Sequence, residues 1–391
     1  MDPSNSLTRW PVVPQTTLAI TATAVATASL LLFAKAALWP RWDKVLANPL
    51  KAGAAGGRVS EEELKGMVYH PDSFPGARDV ETPYGTIRVY EFGPEDGEKV
   101  LLVHGISTPC IVLSRLANGL AERGSRVMLF DLFGRGFSDG VGDLPHDARL
   151  YVTQILLVLA SSPLPWTGNN AMRLIGYSLG GGIAVHFATS FPHLVSSLAL
   201  IAPAGLIRSE NFGTVSRFIF QSGVIPERIL AYLTRIRLRQ PIAAASRKPK
   251  AISPTTAPAE IAVAEAVDMN VAKGDAAAMP LEERILRYVS WMVVHHAGFV
   301  PAFMSSIRYA PLIDQHDSWR LLSRRDPGTT LVLLAEHDEI IDVDDYKRDG
   351  VPLTGGEDHT EWRVVPGTHD FVITHTDRVL RELDQWWGPK N

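Results

Sequence analysis

Three residues far apart in the chain have the types and local settings needed for acyl transfer. Ser178 lies in Gly176-Tyr177-Ser178-Leu179-Gly180, after the apolar run Met172-Arg173-Leu174-Ile175 and before the helix-like stretch Gly181 to Ala188. A strand that turns sharply into a helix holds its central side chain in a strained, protruding position, and the flanking glycines let strand and helix approach closely: a nucleophile elbow. The helix that follows aims its free N–H groups and positive end at the serine, where negative charge would develop. A serine hydroxyl is a weak nucleophile until a base takes its proton, and that base needs an acid to orient it and stabilise its charged form. His369, in Pro366-Gly367-Thr368-His369-Asp370, follows the apolar run Trp362 to Val365, and Asp338 follows Leu331 to Leu334. The order Ser178, Asp338, His369 is the serine, acid, histidine order expected of an open α/β sheet. His337 and His375 are alternatives for the base, as are Glu336, Asp342 and Asp344 for the acid. The backbone N–H groups of Leu179 and Ile106, the latter in His104-Gly105-Ile106-Ser107, are the candidate oxyanion donors, and His104 is assigned a structural part.

These residues need a scaffold that brings strand ends together. Val100 to Val103, Val127 to Phe130 and Leu198 to Ile201 are continuous apolar runs suited to strands buried on both faces. Thr86 to Phe92 alternates and reads as an edge strand. Ile111 to Arg123 has helical spacing and ends at Gly124. Alternating strands and helices predict an α/β domain with a mostly parallel sheet. The alternation stops between residues 205 and 325, which read as a helical lid containing Leu281 to His295 and a solvated Pro- and Lys/Arg-containing loop from Ser246 to Pro258. It resumes at Thr330 to Leu334 and ends in a helix from Asp370 to Trp387. The organisation expected is a tail over 1–44, a Gly-rich linker over 45–79 with a short helix from Ser60 to Met67, a core over 80–204 and 326–391, and the lid over 205–325.

With 391 residues, 46% hydrophobic, the chain can bury a large core. Its 38 basic and 42 acidic residues, for a net charge of −4, do not favour nucleic acid as a partner. Cys110 is the only cysteine, so no intramolecular disulfide forms. Asp131, in Asp131-Leu132-Phe133-Gly134-Arg135-Gly136-Phe137-Ser138, reads as a turn organiser. His295 and His296 are adjacent and do not share a helix face, and the Asp342, Asp344, Asp345 run lacks the glycine of a calcium loop, so no metal is predicted. No cofactor is predicted either. From Thr16 to Ala34 the chain is uncharged over 19 residues, about the length of a membrane-spanning helix, although alanine and threonine dilute it. Lys35, Arg41, Lys44 and Lys51 follow it and Arg9 precedes it, which predicts a single-pass anchor with the catalytic part in the cytosol. Cleavage near Ala34-Lys35-Ala36, giving a secreted or organellar protein, is the competing reading.

His104-Gly105, the turn from Asp131 to Ser138, the elbow, Asp338 and His369 together resemble the α/β-hydrolase superfamily over roughly residues 80 to 390. The resemblance implies an eight-stranded, mostly parallel sheet with helices on both faces and a helical cap inserted after the sixth strand. It implies a serine hydrolase acting on a carboxylic ester, similar in layout to monoacylglycerol-lipase-like members; the lid and the anchor are what point to an apolar acyl or alcohol part. The His-Gly segment and elbow are also similar to the hydrolases that cleave carbon–carbon bonds, and the same triad would suit an acyltransferase or a small-molecule-binding relative.

Overall fold

Among the described residues ten strands form, and eight of them make one sheet. The computed structural model describes residues 15–38, 43–51, 59–169, 171–208, 227–239 and 280–388. The strands are β1 (Val45–Leu46), β2 (Ala77–Thr82), β3 (Gly85–Phe92), β4 (Lys99–Val103), β5 (Arg126–Phe130), β6 (Gly140–Val141), β7 (Met172–Tyr177), β8 (Val195–Ile201), β9 (Thr330–Ala335) and β10 (Glu361–Val365). The helices are α1 (Gln15–Leu38), α2 (Glu61–Lys65), α3 (Ser114–Glu122), α4 (Ala148–Ala160), α5 (Leu179–Ser190), α6 (Glu227–Arg239), α7 (Leu281–His295), α8 (Phe299–Tyr309), α9 (His316–Arg320), α10 (Val343–Leu353), α11 (Phe371–Thr374) and α12 (Thr376–Trp387).

The large sheet runs β10-β9-β8-β7-β4-β5-β3-β2. Every neighbouring pair from β10 to β5 is parallel, and β3 runs antiparallel to both β5 and β2. This is the fold expected, with the sixth strand of the sheet, β8, followed by the helices α6 to α9 before β9 resumes it. The continuous apolar runs fill the middle: Val100 to Val103, Val127 to Phe130 and Leu198 to Ile201 are all buried. β7 lies between β4 and β8, so its end is surrounded by other strand ends.

Several expectations change. Thr86 to Phe92 is interior, because the polar strand β2, whose residues alternate between exposed and half-buried, pairs along its outer side. Alternation in β3 therefore marks chemistry suited to ion pairs, such as Glu91 with Arg78 and Arg126, and not an edge. The stretch read as a linker is partly core: Leu64, Tyr69 and Phe74 are buried, and Asn48 donates its backbone and side-chain N–H groups to Asp139 at 2.8 Å. Ser60 caps α2 by accepting from the Glu63 N–H. The last helix is broken at His375 into α11 and α12.

The anchor expectation gains no support. α1 forms, and Ile20, Val25 and Leu30 to Phe33 along it are exposed, but among the described residues no helix is long and apolar enough to cross a membrane. The alanines favour a helix there, and together with the threonines they lower the segment's apolar content. Arg9 and Arg41, invoked for its orientation, lie outside the described residues, as does the loop from Ser246 to Pro258.

Candidate active site

The elbow is built by close approach. A Cβ on Gly180 would stand 2.1 Å from the carbonyl oxygen of Val103, and one on Gly176 would stand 2.3 Å from the carbonyl oxygen of Gly180. Only glycine at both points lets α5 leave β7 beside the end of β4. The turn forces Ser178 to φ 53° and ψ −120°, a strained conformation for a residue with a side chain. Surrounding bonds hold it there: the Ser178 N–H donates to Ile201, and its carbonyl accepts from Gly181 and Ala204 at 2.8 and 2.9 Å. Ser178 is 6% exposed, nearly closed off from solvent. Leu179, the first residue of α5, has no intrahelical acceptor for its N–H, and that group stays at the helix start beside the serine.

β9 and β10 deliver the other two side chains. Their parallel pairing continues past the strands, where Glu336 and His337 donate backbone N–H groups to Val365 and Gly367. That zips the acid loop to the histidine loop. Both carboxylate oxygens of Asp338 face Nδ1 of His369, at 2.9 and 3.1 Å. Asp338 Oδ1 also accepts from the backbone N–H groups of Ile340 and Ile341, each at 2.8 Å, which fixes the carboxylate. The Asp338 side chain is fully buried and that of His369 is 3% exposed. The ring of Tyr177, next to Ser178, packs 5.5 Å from the His369 imidazole, and its hydroxyl donates to the His369 carbonyl. The structure thus brings Asp338 and His369 into contact and seats His369 against the elbow. With Nδ1 turned to the carboxylate, Nε2 is the nitrogen left for proton transfer.

The alternatives fall elsewhere. His337 and Glu336 are exposed. His375 is bonded to Thr374, Asp342 caps α10, and Asp344 lies in that helix's first turn. Sequence reading missed Glu339, whose Oε2 accepts the His369 N–H at 3.1 Å; nothing in its local pattern distinguishes it from the acids around it.

The loop after β4 supplies the second proposed donor. His104 Nδ1 donates to the Gly105 carbonyl at 2.8 Å, and Nε2 accepts the Leu132 N–H at 2.8 Å. Burial, aided by the Arg135 charge, drives the His104 pKa down to about 3, so the ring is neutral. Its part is structural, as expected. Because a peptide unit is planar, tying the Gly105 carbonyl sets the direction of the Ile106 N–H. Ile106 is 2% exposed. Asp131 organises its turn as read: it accepts from Phe137 and Cys110 N–H groups and from the Tyr69 hydroxyl at 2.7 to 2.9 Å, and burial raises its carboxyl above the ordinary range. His295 stacks on Trp291 while His296 Nε2 donates to Ser138, so the two rings diverge. Among the described residues no three His, Cys, Asp or Glu side chains are grouped as a metal would need.

The profile of the family described as Serine aminopeptidase, S33, matches residues 94–277, a region that holds the His104 loop and the elbow and stops short of Asp338 and His369. A serine hydrolase-like protein of Dictyostelium discoideum is 30% identical over 151 residues, 36% of this chain and 39% of the relative. A lipase of Mycobacterium tuberculosis is 30% identical over 118 residues, covering 30% and 42%. The pimeloyl-[acyl-carrier protein] methyl ester esterase of Chromobacterium violaceum is 39% identical over 117 residues, covering 30% and 41%. The matched part of the chain spans about two fifths of the length of these relatives. Among solved structures, a bromoperoxidase of Bacillus anthracis superposes with a TM-score of 0.55 at 15% identity, over 80% of this chain and 99% of that one. The naproxen esterase of Bacillus subtilis gives 0.50 at 17% identity, over 84% and 95%. At such identities the likeness is one of fold.

Proposed function

Because this chain belongs to the α/β-hydrolase superfamily, we propose that it is a serine hydrolase that cleaves a carboxylic ester with an apolar acyl or alcohol part, through Ser178, His369 and Asp338. The observation that carries the reading is the buried pair of His369 Nδ1 and the Asp338 carboxylate, at 2.9 Å, packed against the strained turn that carries Ser178.

In this mechanism His369 Nε2 removes the Ser178 proton as Oγ attacks the ester carbonyl carbon. Asp338 keeps the ring in the tautomer with hydrogen on Nδ1 and stabilises the imidazolium. The N–H groups of Leu179 and Ile106 hold the oxyanion. The tetrahedral intermediate collapses, the carbon–oxygen bond to the alcohol breaks, and His369 returns its proton to the leaving alkoxide. Water, deprotonated by the same imidazole, then attacks the acyl-enzyme and frees the acid and Ser178. An apolar preference is supported by the relatives that are a lipase and a methyl ester esterase.

A fluorophosphonate should label the purified protein at Ser178 alone, and nitrophenyl esters of graded acyl length should be hydrolysed. Labelling at another residue, or none, rejects the mechanism. Labelling at Ser178 without ester hydrolysis transfers the assignment to carbon–carbon cleavage or acyl transfer.

A further inference from the structure

We propose that Arg135 is a positioning residue that couples helix α8, in the segment between β8 and β9, to the orientation of the Ile106 oxyanion donor. The inference rests on the serine-hydrolase reading above. Arg135 is wholly buried, and four of its five N–H groups are engaged: Nε donates to the Ile106 carbonyl at 2.9 Å, Nη1 to the Phe133 carbonyl at 2.9 Å and to the Tyr151 hydroxyl at 3.1 Å, and Nη2 to Ser306 Oγ at 2.9 Å. Ser306 lies on α8, and Tyr151 on α4. Tyr151 and Ser306 are themselves 2.7 Å apart, and Ser306 Oγ donates to Ala302 one helical turn away. One guanidinium thus joins the oxyanion loop, the turn after β5, a core helix and α8.

Two features separate this from ordinary packing. His104 holds the peptide before Ile106 through the Gly105 carbonyl, and Arg135 holds the peptide after it through the Ile106 carbonyl. Both planes flanking the donor residue are therefore tied to buried side chains, which leaves the Ile106 N–H one direction. Secondly, among the described residues no carboxylate pairs with Arg135; its acceptors are all neutral. Burying a cation without a counter-ion is costly, and an apolar side chain would fill the space more favourably. What arginine offers in return is a rigid, planar fork that can fix several acceptors at once. A shift of α8 that moves Ser306 pulls on the same guanidinium that sets Ile106, so the position of α8 and the oxyanion geometry are linked.

The test uses the full chain and the variants Arg135→Lys and Ser306→Ala. The readouts are the rate of fluorophosphonate labelling at Ser178, kcat and KM on a nitrophenyl ester, and the ratio of rates on an ester and its thionoester, which reports how well the oxyanion donors discriminate oxygen from sulfur. Lysine keeps the charge and loses the fork. It should lower kcat and the labelling rate by about 10- to 100-fold, approaching the loss of one oxyanion donor, with KM within about twofold and a reduced ester preference. Ser306→Ala removes only the α8 contact and should lower kcat about 3- to 10-fold with the same loss of discrimination. A purely structural role would lower the melting temperature and leave the folded enzyme's kcat and ester-to-thionoester ratio intact; that result overturns the proposal. If Arg135→Lys does not fold, Ser306→Ala decides alone. Wild-type protein that is not labelled at Ser178 rejects the serine-hydrolase reading and this inference with it, whereas wild-type labelling with unchanged variants rejects only the inference.

Discussion

Acidification from pH 7 to 5 should destabilise this protein by several kcal/mol, because three of its histidines are locked in the neutral form. His104 and His146 have pKa values lowered to about 3 and His296 to about 4, each chiefly by burial and further by the charge of Arg135. Each ring has both nitrogens committed: His146 Nε2 donates to the Val141 carbonyl with Nδ1 facing the Tyr151 hydroxyl, and His296 Nε2 donates to Ser138 while Nδ1 accepts from Gly298. A proton added to His104 or His296 would break the bond accepted from a backbone N–H, and one added to any of the three would place a second cation near Arg135. In the unfolded chain the same side chains titrate near 6.5, so the unfolded state takes up protons first and stability falls with pH below that value. Between pH 7 and 5 each ring should remove about 2 kcal/mol, and the three together about 6 kcal/mol, comparable with the whole stability of many domains. His186, also lowered by burial, adds to the trend, while Asp131, held above its ordinary value, opposes it. Urea unfolding followed by tryptophan fluorescence at pH 7, 6 and 5 measures this directly. The slope near pH 5.5 should correspond to the uptake of about 2 to 3 protons, and His146→Gln should reduce it by about one. A change below about 1 kcal/mol between pH 7 and 5 would refute the argument that these rings are buried and neutral.

Ser178→Ala should lower kcat/KM by about 10⁴-fold or more while leaving the fold intact, as measured with a nitrophenyl ester and a thermal melt. Asp338→Asn, which keeps the side-chain shape but no longer enforces the Nδ1–H tautomer of His369, should cost about 10⁴-fold in kcat; a loss under tenfold would remove Asp338 from the mechanism. Gly180→Ala drives a Cβ to 2.1 Å from the Val103 carbonyl oxygen, backbone that cannot move aside. It should destabilise by at least about 3 kcal/mol, seen as a lower urea midpoint, and would lower labelling at Ser178 even in the fraction that folds.

Much of the architecture was open to direct reading, because apolar runs and helical spacing are local properties. Val100 to Val103 and Leu198 to Ile201 have the composition of strands buried on both sides, and Leu281 to His295 has the bounds of α7 to the residue. Ser178 was legible because an elbow is a contiguous device: its glycines, its apolar strand and its helix all lie within a short stretch. Asp338 and His369 were legible as residues that follow strands, although their contact was not. That pairing exists because β9 and β10 are parallel neighbours in register, with Ala335 opposite Val365, so their exits run side by side. Strand order belongs to the sheet and leaves no mark on either segment alone.

The misreadings share that cause. β3 alternates like an edge strand, and only the arrival of β2 makes it interior. Tyr69 and Phe74 sit in a polar stretch that composition marks as a connection, yet the core has room for both rings. Arg135 is the clearest instance. In sequence it is one residue of a turn, and it becomes a junction only when Ile106, Tyr151 and Ser306, up to 171 residues from it, converge around it. Local pattern determined which elements form and where a nucleophile could stand. Packing alone decided which side chains meet, because a side chain's partners follow from the order of strands and the close approach of helices, both summed over the whole chain.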